Sequence, residues 1–132
     1  MIAVDTNVVV RVLTNDDPAQ ASAAATLLER EIVFLPVSVI LETEWVLRSV
    51  YGLDREAVAR SLRRFLGVPT VTAEAPGRVG QALSWYEEGL DFADALHLAS
   101  ATEAGAERFA TFDGTFRRQA EVKGTAVSVI TP

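Results

Sequence analysis

The sequence predicts a three-layer α/β/α domain with a mainly parallel central sheet of about five strands. Short apolar segments alternate along the chain with longer segments that have helical periodicity. Continuous apolar segments of this length are typical of strands that are covered on both faces, as in parallel sheets. The chain has 132 residues, which suffice for one hydrophobic core, and we therefore expect a single domain over residues 1–132.

The chain begins with a short apolar segment that ends on a carboxylate. Residues 1–4 predict a buried strand in the centre of the sheet, and Asp5 lies at its carboxyl end, where open α/β sheets bind ligands. Thr6 and Asn7 are predicted to cap a first helix over Val8–Leu13. Asp5 is therefore a candidate site residue, although an alternative interpretation makes it only a cap or a turn residue.

A turn, a second helix and a second strand follow. Asp17 is predicted to cap a helix over about 18–31, because Pro18 then takes the first helical position and Gln20 the capping-box position. Residues 32–35 are apolar and predict a second buried strand. These elements begin the alternation of strands and helices that predicts the fold class.

The third helix, predicted at about 37–51, contains two carboxylates with different surroundings. It is apolar nearly all round and is therefore expected to be buried. Glu44 precedes Arg48 by four residues, the favourable spacing for a helical ion pair, and we expect this pair to be solvated. Glu42 has no such partner, and a buried or half-buried carboxylate without one is costly. Glu42 is therefore a candidate functional residue.

The middle of the chain carries fewer signals of chemistry. Asp54 is predicted to cap a fourth helix, residues 70–72 to form a short edge strand, and Pro76 to open a fifth helix that reaches about Glu88. The arginines of the fourth helix lie largely off its apolar stripe, as is typical of a solvated face. Trp85 is interpreted as a packing residue rather than a platform for a nucleobase.

Two carboxylates mark the start of the sixth predicted helix. Asp91 precedes the first turn and is expected to cap it, and a cap alone is one interpretation of this residue. Asp94 lies three residues on, at the helix end where the dipole favours anions. Its sequence neighbours are apolar, a setting in which a carboxylate without a function is unusual. The single histidine, His97, is expected to pack structurally rather than to act as a base.

The last part of the chain repeats the pattern of a strand that ends on a carboxylate. Residues 107–112 predict a strand, and Asp113 follows it, although Asp113 and Gly114 are also an ordinary turn pair. A short helix with Arg117 and Arg118 comes next. A final strand is predicted at residues 126–130.

Four carboxylates of the chain are candidate site residues. Two follow strand ends, Asp5 and Asp113, and two lie in helices without a helical partner, Glu42 and Asp94. Such a set is typical of a site for a hard divalent cation, because Mg²⁺ and Mn²⁺ prefer oxygen ligands. Crowded carboxylates also repel one another unless a cation lies among them. The absence of cysteine and the single histidine disfavour zinc and disfavour Ser-His or Cys-His catalysis.

Composition restricts the partners. The formal net charge of −6 argues against a surface that coats nucleic acid in general. Hydrophobic residues make up 49% of the chain, which predicts that some apolar surface lies in an interface with another chain. Neither a charged leader with a cleavage site nor an apolar segment of membrane-spanning length is evident, and we therefore expect a cytoplasmic protein with no membrane partner.

Four segments carry a resemblance to a known family, and they are Ile2–Asn7 (IAVDTN), Leu41–Arg48 (LETEWVLR), Asp91–His97 (DFADALH) and Ala110–Asp113 (ATFD). In this order they resemble the successive motifs of PIN-domain ribonucleases, most closely those of the VapC-type toxins of prokaryotic toxin–antitoxin pairs. The second and third segments are quite specific, whereas Asp-Thr-Asn alone would be a weak signal. No acidic motif position departs from the family pattern, so nothing suggests an inactive copy.

The resemblance implies a function and a set of site residues. The reaction would be hydrolysis of RNA phosphodiester bonds that depends on Mg²⁺ or Mn²⁺. The implied metal ligands and catalytic residues are Asp5, Glu42, Asp94 and Asp113. Asp91 would be an additional acid at the edge of the site, and the hydroxyl residues beside the first and last acids are Thr6 and Thr111.

The resemblance also implies partners. A homodimer and a small antitoxin protein that blocks the site are expected, and both would use the apolar excess of the composition. An acidic nuclease still has to attract RNA, and we hypothesise that arginines supply contacts to phosphates, namely Arg11, Arg48, Arg63 and Arg117.

Two other interpretations stay open at this point. The first is a different metal-dependent enzyme, either a nuclease outside toxin systems, including one that acts on DNA, or a phosphatase. Phosphatases of the haloacid dehalogenase type need a second aspartate where this chain has Asn7, which counts against them. The second is a non-catalytic binding module whose acids are only caps and ion pairs, and it predicts no stabilisation by a cation.

Overall fold

The computed structural model describes residues 1–132 and contains seven helices and five strands. They fall into two units, Met1–Pro76 and Gly77–Pro132, each of which is described by itself. The single domain expected over residues 1–132 stays a prediction. None of the helices combines the length and the apolar character that crossing a membrane requires.

Three parallel strands form the sheet of the first unit: β1 (Ile2–Ala3), β2 (Val33–Leu35) and β3 (Val71–Ala73). Their order is β1-β2-β3, so β2 is central, and its residues Val33 and Leu35 are buried. The prediction that residues 1–4 form a buried central strand is therefore wrong. β1 pairs only with β2 in this sheet, its two residues are exposed, and the first buried apolar residue is Val4. The apolar character of the segment identified a strand but not its position in the sheet.

Four helices complete the first unit: α1 (Thr6–Thr14), α2 (Pro18–Arg30), α3 (Val37–Ser49) and α4 (Arg55–Leu66). The predicted caps of α2 and α4 are confirmed, because Asp17 accepts from the backbone N–H of Gln20 and Asp54 from that of Ala57. α1 begins at Thr6 rather than at the predicted Val8. The reason is that Asp5, and not Thr6 or Asn7, is the capping residue of that helix.

Glu44 and Glu42 have exchanged the surroundings that the sequence predicted for them. The ion pair is present, since Arg48 Nε donates to Glu44 Oε2 at 2.9 Å, but the Glu44 side chain is only 3% exposed, so the expectation of a solvated pair is wrong. Glu42 is exposed, so the expectation of a buried or half-buried carboxylate is wrong as well. α3 packs against α1 and α4 with the stripe Ile40, Thr43, Glu44 and Leu47. That stripe includes Glu44 and leaves Glu42 outside it.

A polar network joins α1 to the turn before α2 and to the end of α3. Arg11 donates from Nε to Gln20 Oε1 at 2.7 Å and from Nη1 to Asp16 Oδ1 at 3.1 Å. The Tyr51 hydroxyl donates to Asp16 Oδ2 at 2.5 Å. This hydrogen bond, with smaller contributions from Thr14 and Arg11, lowers the pKa of Asp16 below its usual value of 3.8 against the opposing effect of burial.

Replacing Tyr51 by phenylalanine is expected to lower stability at neutral pH and to have a smaller effect in acid. Because the folded-state pKa of Asp16 is depressed, its contribution to stability is present above 3.8 and is lost as the pH falls through the lower, folded-state value. Melting temperatures of the wild type and Tyr51→Phe at about pH 7 and about pH 3 measure this difference. A difference that stays constant between the two pH values would contradict it.

The second unit begins within α5 (Pro76–Glu87) and continues with α6 (Phe92–Glu103), β4 (Arg108–Ala110), α7 (Gly114–Lys123) and β5 (Ser128–Ile130). β4 and β5 pair in parallel and form a two-stranded sheet. The second unit contains two edge-to-face aromatic pairs, Tyr86 with Phe92 and Phe109 with Phe116. Trp85 is buried, as expected of a packing residue.

The strands differ from prediction in how they are grouped. Five strands with only parallel pairings are present, as predicted, but they form a three-stranded and a two-stranded sheet instead of one sheet. β4 and β5 are also shorter than the predicted segments 107–112 and 126–130. Apolar segments identify strands locally, whereas the partner of a strand is decided by packing between distant parts of the chain.

Candidate active site

In the first unit, Asp5 has the cap role that the sequence left open. It follows β1, its side chain is exposed, and Oδ1 accepts the backbone N–H of Val8 at 3.2 Å as the cap of α1. A carboxylate has two oxygens with several lone pairs, so this cap does not prevent Asp5 from binding a cation. The neighbouring Thr6 is only 5% exposed, and its buried hydroxyl oxygen has no hydrogen-bond partner in the protein.

Glu42 is the second candidate of the first unit. It lies on the exposed side of α3, while Arg48 of the same helix is engaged by the buried Glu44. Glu42 is therefore an exposed carboxylate that takes no part in the ion pair of α3. That Glu42 is a metal ligand stays a prediction, and its motif position alone supports it.

In the second unit, backbone hydrogen bonds orient two of the candidate carboxylates. Asp91 caps α6, as predicted, and Oδ2 accepts the backbone N–H of Asp94 at 3.1 Å. Asp113 caps α7, where Oδ1 accepts the N–H groups of Thr115 at 2.9 Å and Phe116 at 3.0 Å. Thr111 Oγ1 accepts the N–H of Asp113 at 3.0 Å, so this threonine holds the backbone of the acid that follows it.

Asp94 carries the electrostatic signature of a site. Partial burial raises its pKa above the usual 3.8, and the negative charges of Asp91 and Asp113 raise it further, while His97 lowers it. The charges of Asp91 and Asp113 therefore lie close enough to Asp94 to disfavour its ionisation, and a bound cation would offset this repulsion. A set of oxygen donors without cysteine fits a hard divalent cation better than zinc.

The four predicted metal ligands are divided between the units. Asp5 and Glu42 belong to the first unit, and Asp94 and Asp113 belong to the second. The structure contains no group of three or more histidine, aspartate and glutamate side chains that could hold a metal ion. The ligand set, with Asp91 at its edge, therefore stays a prediction.

The four arginines predicted to contact phosphates differ in their surroundings. Arg11 is engaged by Gln20 and Asp16, Arg48 is engaged by Glu44, and Arg63 also has an interaction partner. Arg117 differs, because its Nε is buried and has no hydrogen-bond partner in the protein.

Two residues near the acids of the second unit differ from expectation. His97 is exposed, so the prediction that it packs structurally is wrong. The buried residues of α6 do not include position 97; they are Phe92, Ala95, Leu96, Leu98 and Ala99. Phe112 was predicted as the last residue of a strand. It lies beyond β4 and is 85% exposed. Its only signal in the sequence was its place directly before Asp113.

Two comparisons with known proteins gave matches. The PIN domain family model matches residues 2–122, which is most of the chain. Among solved structures, the crystal structure of Mycobacterium tuberculosis VapC20, described as a sarcin-ricin loop cleaving toxin, is 26% identical in sequence. That alignment covers 97% of this chain and 99% of the other, with a TM-score of 0.42. No curated protein matches this chain.

Proposed function

Because the chain belongs to the PIN domain family, we propose that it is a divalent-metal-dependent endoribonuclease that hydrolyses RNA phosphodiester bonds. The match over residues 2–122 confirms the family predicted from the sequence motifs and the α/β fold class predicted from the alternation of strands and helices. The observation that supports the chemistry best is the raised pKa of Asp94, which results first from burial and then from repulsion by the charges of Asp91 and Asp113. Such repulsion is the condition that a bound cation relieves.

The residues proposed to hold Mg²⁺ or Mn²⁺ are Asp5, Glu42, Asp94 and Asp113, with Asp91 at the edge. When bound, a divalent ion lowers the pKa of a water and neutralises charge on the phosphate. The contribution of the chain is to orient the carboxylates before a cation binds. The backbone N–H groups at the start of α7 orient Asp113, and the hydroxyl of Thr111 fixes its backbone. Pre-orientation of this kind removes part of the entropic cost of binding.

We further propose that the protein is the toxin of a toxin–antitoxin pair, acts in the cytoplasm, and forms a homodimer. The four motifs and their order along the chain support the toxin assignment. A cavity of about 350 Å³ is lined by α1 and α2 residues such as Val8, Ala24 and Leu27 and offers apolar surface to a small antitoxin protein. Trp45 and Val50 of the α3 region are exposed apolar residues, which supports a further protein contact.

The test of the proposed function is cleavage of total RNA by the purified chain with Mg²⁺, with Mn²⁺ and with EDTA. Discrete fragments are expected with either cation, and EDTA is expected to abolish them, because the carboxylates alone supply no Lewis acid. The variant Asp17→Asn is a control that is expected to cleave RNA as the wild type does, because Asp17 also caps a helix but is not a proposed ligand. Cleavage that continues unchanged in EDTA would contradict the proposal.

A second candidate function is a non-catalytic binding module in which the acids serve only as caps. The observation that favours it is that Asp5, Asp91 and Asp113 each accept backbone N–H groups at the start of a helix. Helix caps need no cation, so this candidate predicts the same melting temperature in Mn²⁺ and in EDTA. A metalloenzyme is instead stabilised by the ion that its folded state binds.

A further inference from the structure

Phe112 is the most exposed of the large apolar side chains, with 85% of its surface accessible. It lies between the end of β4 and the start of α7, directly before Asp113. Nearby phenylalanines of the same unit are packed, since the rings of Phe109 and Phe116 meet edge to face at 5.4 Å. A ring this exposed contributes little to folding and is accessible to a ligand.

The backbone on both sides of Phe112 is held by hydrogen bonds. On one side, Thr111 Oγ1 accepts the N–H of Asp113 at 3.0 Å. On the other, Asp113 Oδ1 accepts the N–H groups of Thr115 and Phe116. The backbone that carries the ring is thus already ordered. Binding of a ligand to the ring therefore does not include the entropic cost of ordering this turn.

A positive charge lies close to this turn. Arg118 is exposed, and its Nη2 donates to Thr115 Oγ1 at 3.3 Å. Its Nη1 lies 3.2 Å from the position that a Cβ on Gly114 would occupy, so the guanidinium lies back over the first turn of α7. An exposed aromatic ring and a guanidinium therefore accompany Asp113. This pairing is typical of surfaces that bind single-stranded nucleic acid, where rings stack on bases and cations contact phosphates.

We propose that Phe112 stacks on a nucleobase of single-stranded RNA and that Arg118 contacts a phosphate of the same strand. This inference rests on the proposed function, because Asp113 is a proposed metal ligand and the stacked base would belong to a nucleotide adjoining the cleaved bond. Stacking tolerates any base, so Phe112 contributes affinity and position rather than sequence preference.

The test measures the Kd of a short fluorescein-labelled single-stranded RNA by anisotropy in Mg²⁺, in the Asp94→Asn background so that the RNA stays intact. Adding Phe112→Ala is expected to raise the Kd by about tenfold, and Phe112→Tyr to leave it nearly unchanged. Phe112→Leu keeps an apolar side chain without a π face and is expected to bind as weakly as Phe112→Ala. Val122→Ala is the matched control, because Val122 is also on the second unit and is 83% exposed.

Arg118 provides an independent readout. Arg118→Ala is expected to reduce the slope of log K against log salt by about 0.7, the value for one phosphate contact on a single strand. Phe112→Ala should leave that slope unchanged, because stacking releases no counterion.

The outcomes separate the inference from the proposed function. If the wild type cleaves RNA and every Phe112 variant binds the labelled RNA as tightly as the Asp94→Asn protein does, the inference alone is overturned. Retention of affinity by Phe112→Leu but not by Phe112→Ala would also overturn it, since an apolar contact with a protein partner or a second copy then explains the exposed ring. If the chain neither binds nor cleaves RNA, both proposals are overturned.

Discussion

The variant Asp94→Asn is expected to cleave RNA about a hundredfold more slowly than the wild type or worse, while melting at a slightly higher temperature when no cation is added. The loss of activity follows from the loss of a proposed metal ligand. The gain in stability follows from the environment of Asp94, where burial and the charges of Asp91 and Asp113 disfavour the ionised carboxylate. Asparagine removes that charge at almost no change in volume.

The sign of the stability effect follows from the direction of the pKa shift. The folded protein holds the proton of Asp94 more tightly than the unfolded chain does, so stability falls as the pH rises from 3.8 through the raised folded-state pKa. The full penalty is present at neutral pH, and asparagine avoids it. If Asp94 had a purely structural role, replacing it would instead lower the stability of the protein.

Three measurements test this variant: RNA cleavage, the melting temperature in EDTA, and the melting temperature in Mn²⁺. Mn²⁺ is expected to stabilise the wild type but not Asp94→Asn, because the cation relieves a repulsion that the variant lacks. Asp54→Asn serves as the control, since Asp54 is a helix cap of the first unit. Wild-type activity in Asp94→Asn would overturn its proposed role.

Replacing Arg48 by methionine is expected to lower the free energy of unfolding by about 2 kcal/mol, which corresponds to a fall of roughly 6–10 °C in melting temperature for a chain of this length. Arg48 Nε and Nη2 donate to the carboxylate of Glu44, which is 3% exposed. Removing the arginine takes this counter-charge away from a buried carboxylate. The figure lies below that for a fully buried pair, because Arg48 itself is partly exposed.

Arg60→Met is the matched control for this prediction. Arg60 and Glu56 have the same spacing in a helix, but both side chains are exposed and the closest N–O distance is 3.9 Å. Such a pair contributes about 0.5 kcal/mol or less, so urea unfolding should separate the two variants clearly. Equal effects of Arg48→Met and Arg60→Met would mean that burial of Glu44 has no energetic consequence.

Signals that act over a few residues were sufficient for much of the fold. Asp17, Asp54 and Asp91 were recognised as caps because a cap depends only on a side chain and the N–H groups two or three residues later. The existence of all five strands and seven helices followed from apolar periodicity. The family followed from four short motifs whose order along the chain is part of the signal.

Burial on a helix could not be predicted in the same way. α3 is apolar nearly all round, so its periodicity did not indicate which face packs against α1 and α4, and Glu44 rather than Glu42 is buried. The same reason explains His97, which lies off the buried stripe of α6. In both helices the decision depends on partners that are distant in sequence.

The sequence by itself therefore determined the elements, their caps, the acidic motifs and the family of this protein, because each depends on neighbouring residues or on motif order. Tertiary structure alone decided that β2 rather than β1 is central in the sheet of the first unit, that Glu44 is enclosed with Arg48, and that Phe112 is exposed beside Asp113. The physical reason is that strand partners, buried faces and the surroundings of a carboxylate are set by contacts between distant segments. Local hydrogen bonds and apolar periodicity leave those contacts undetermined.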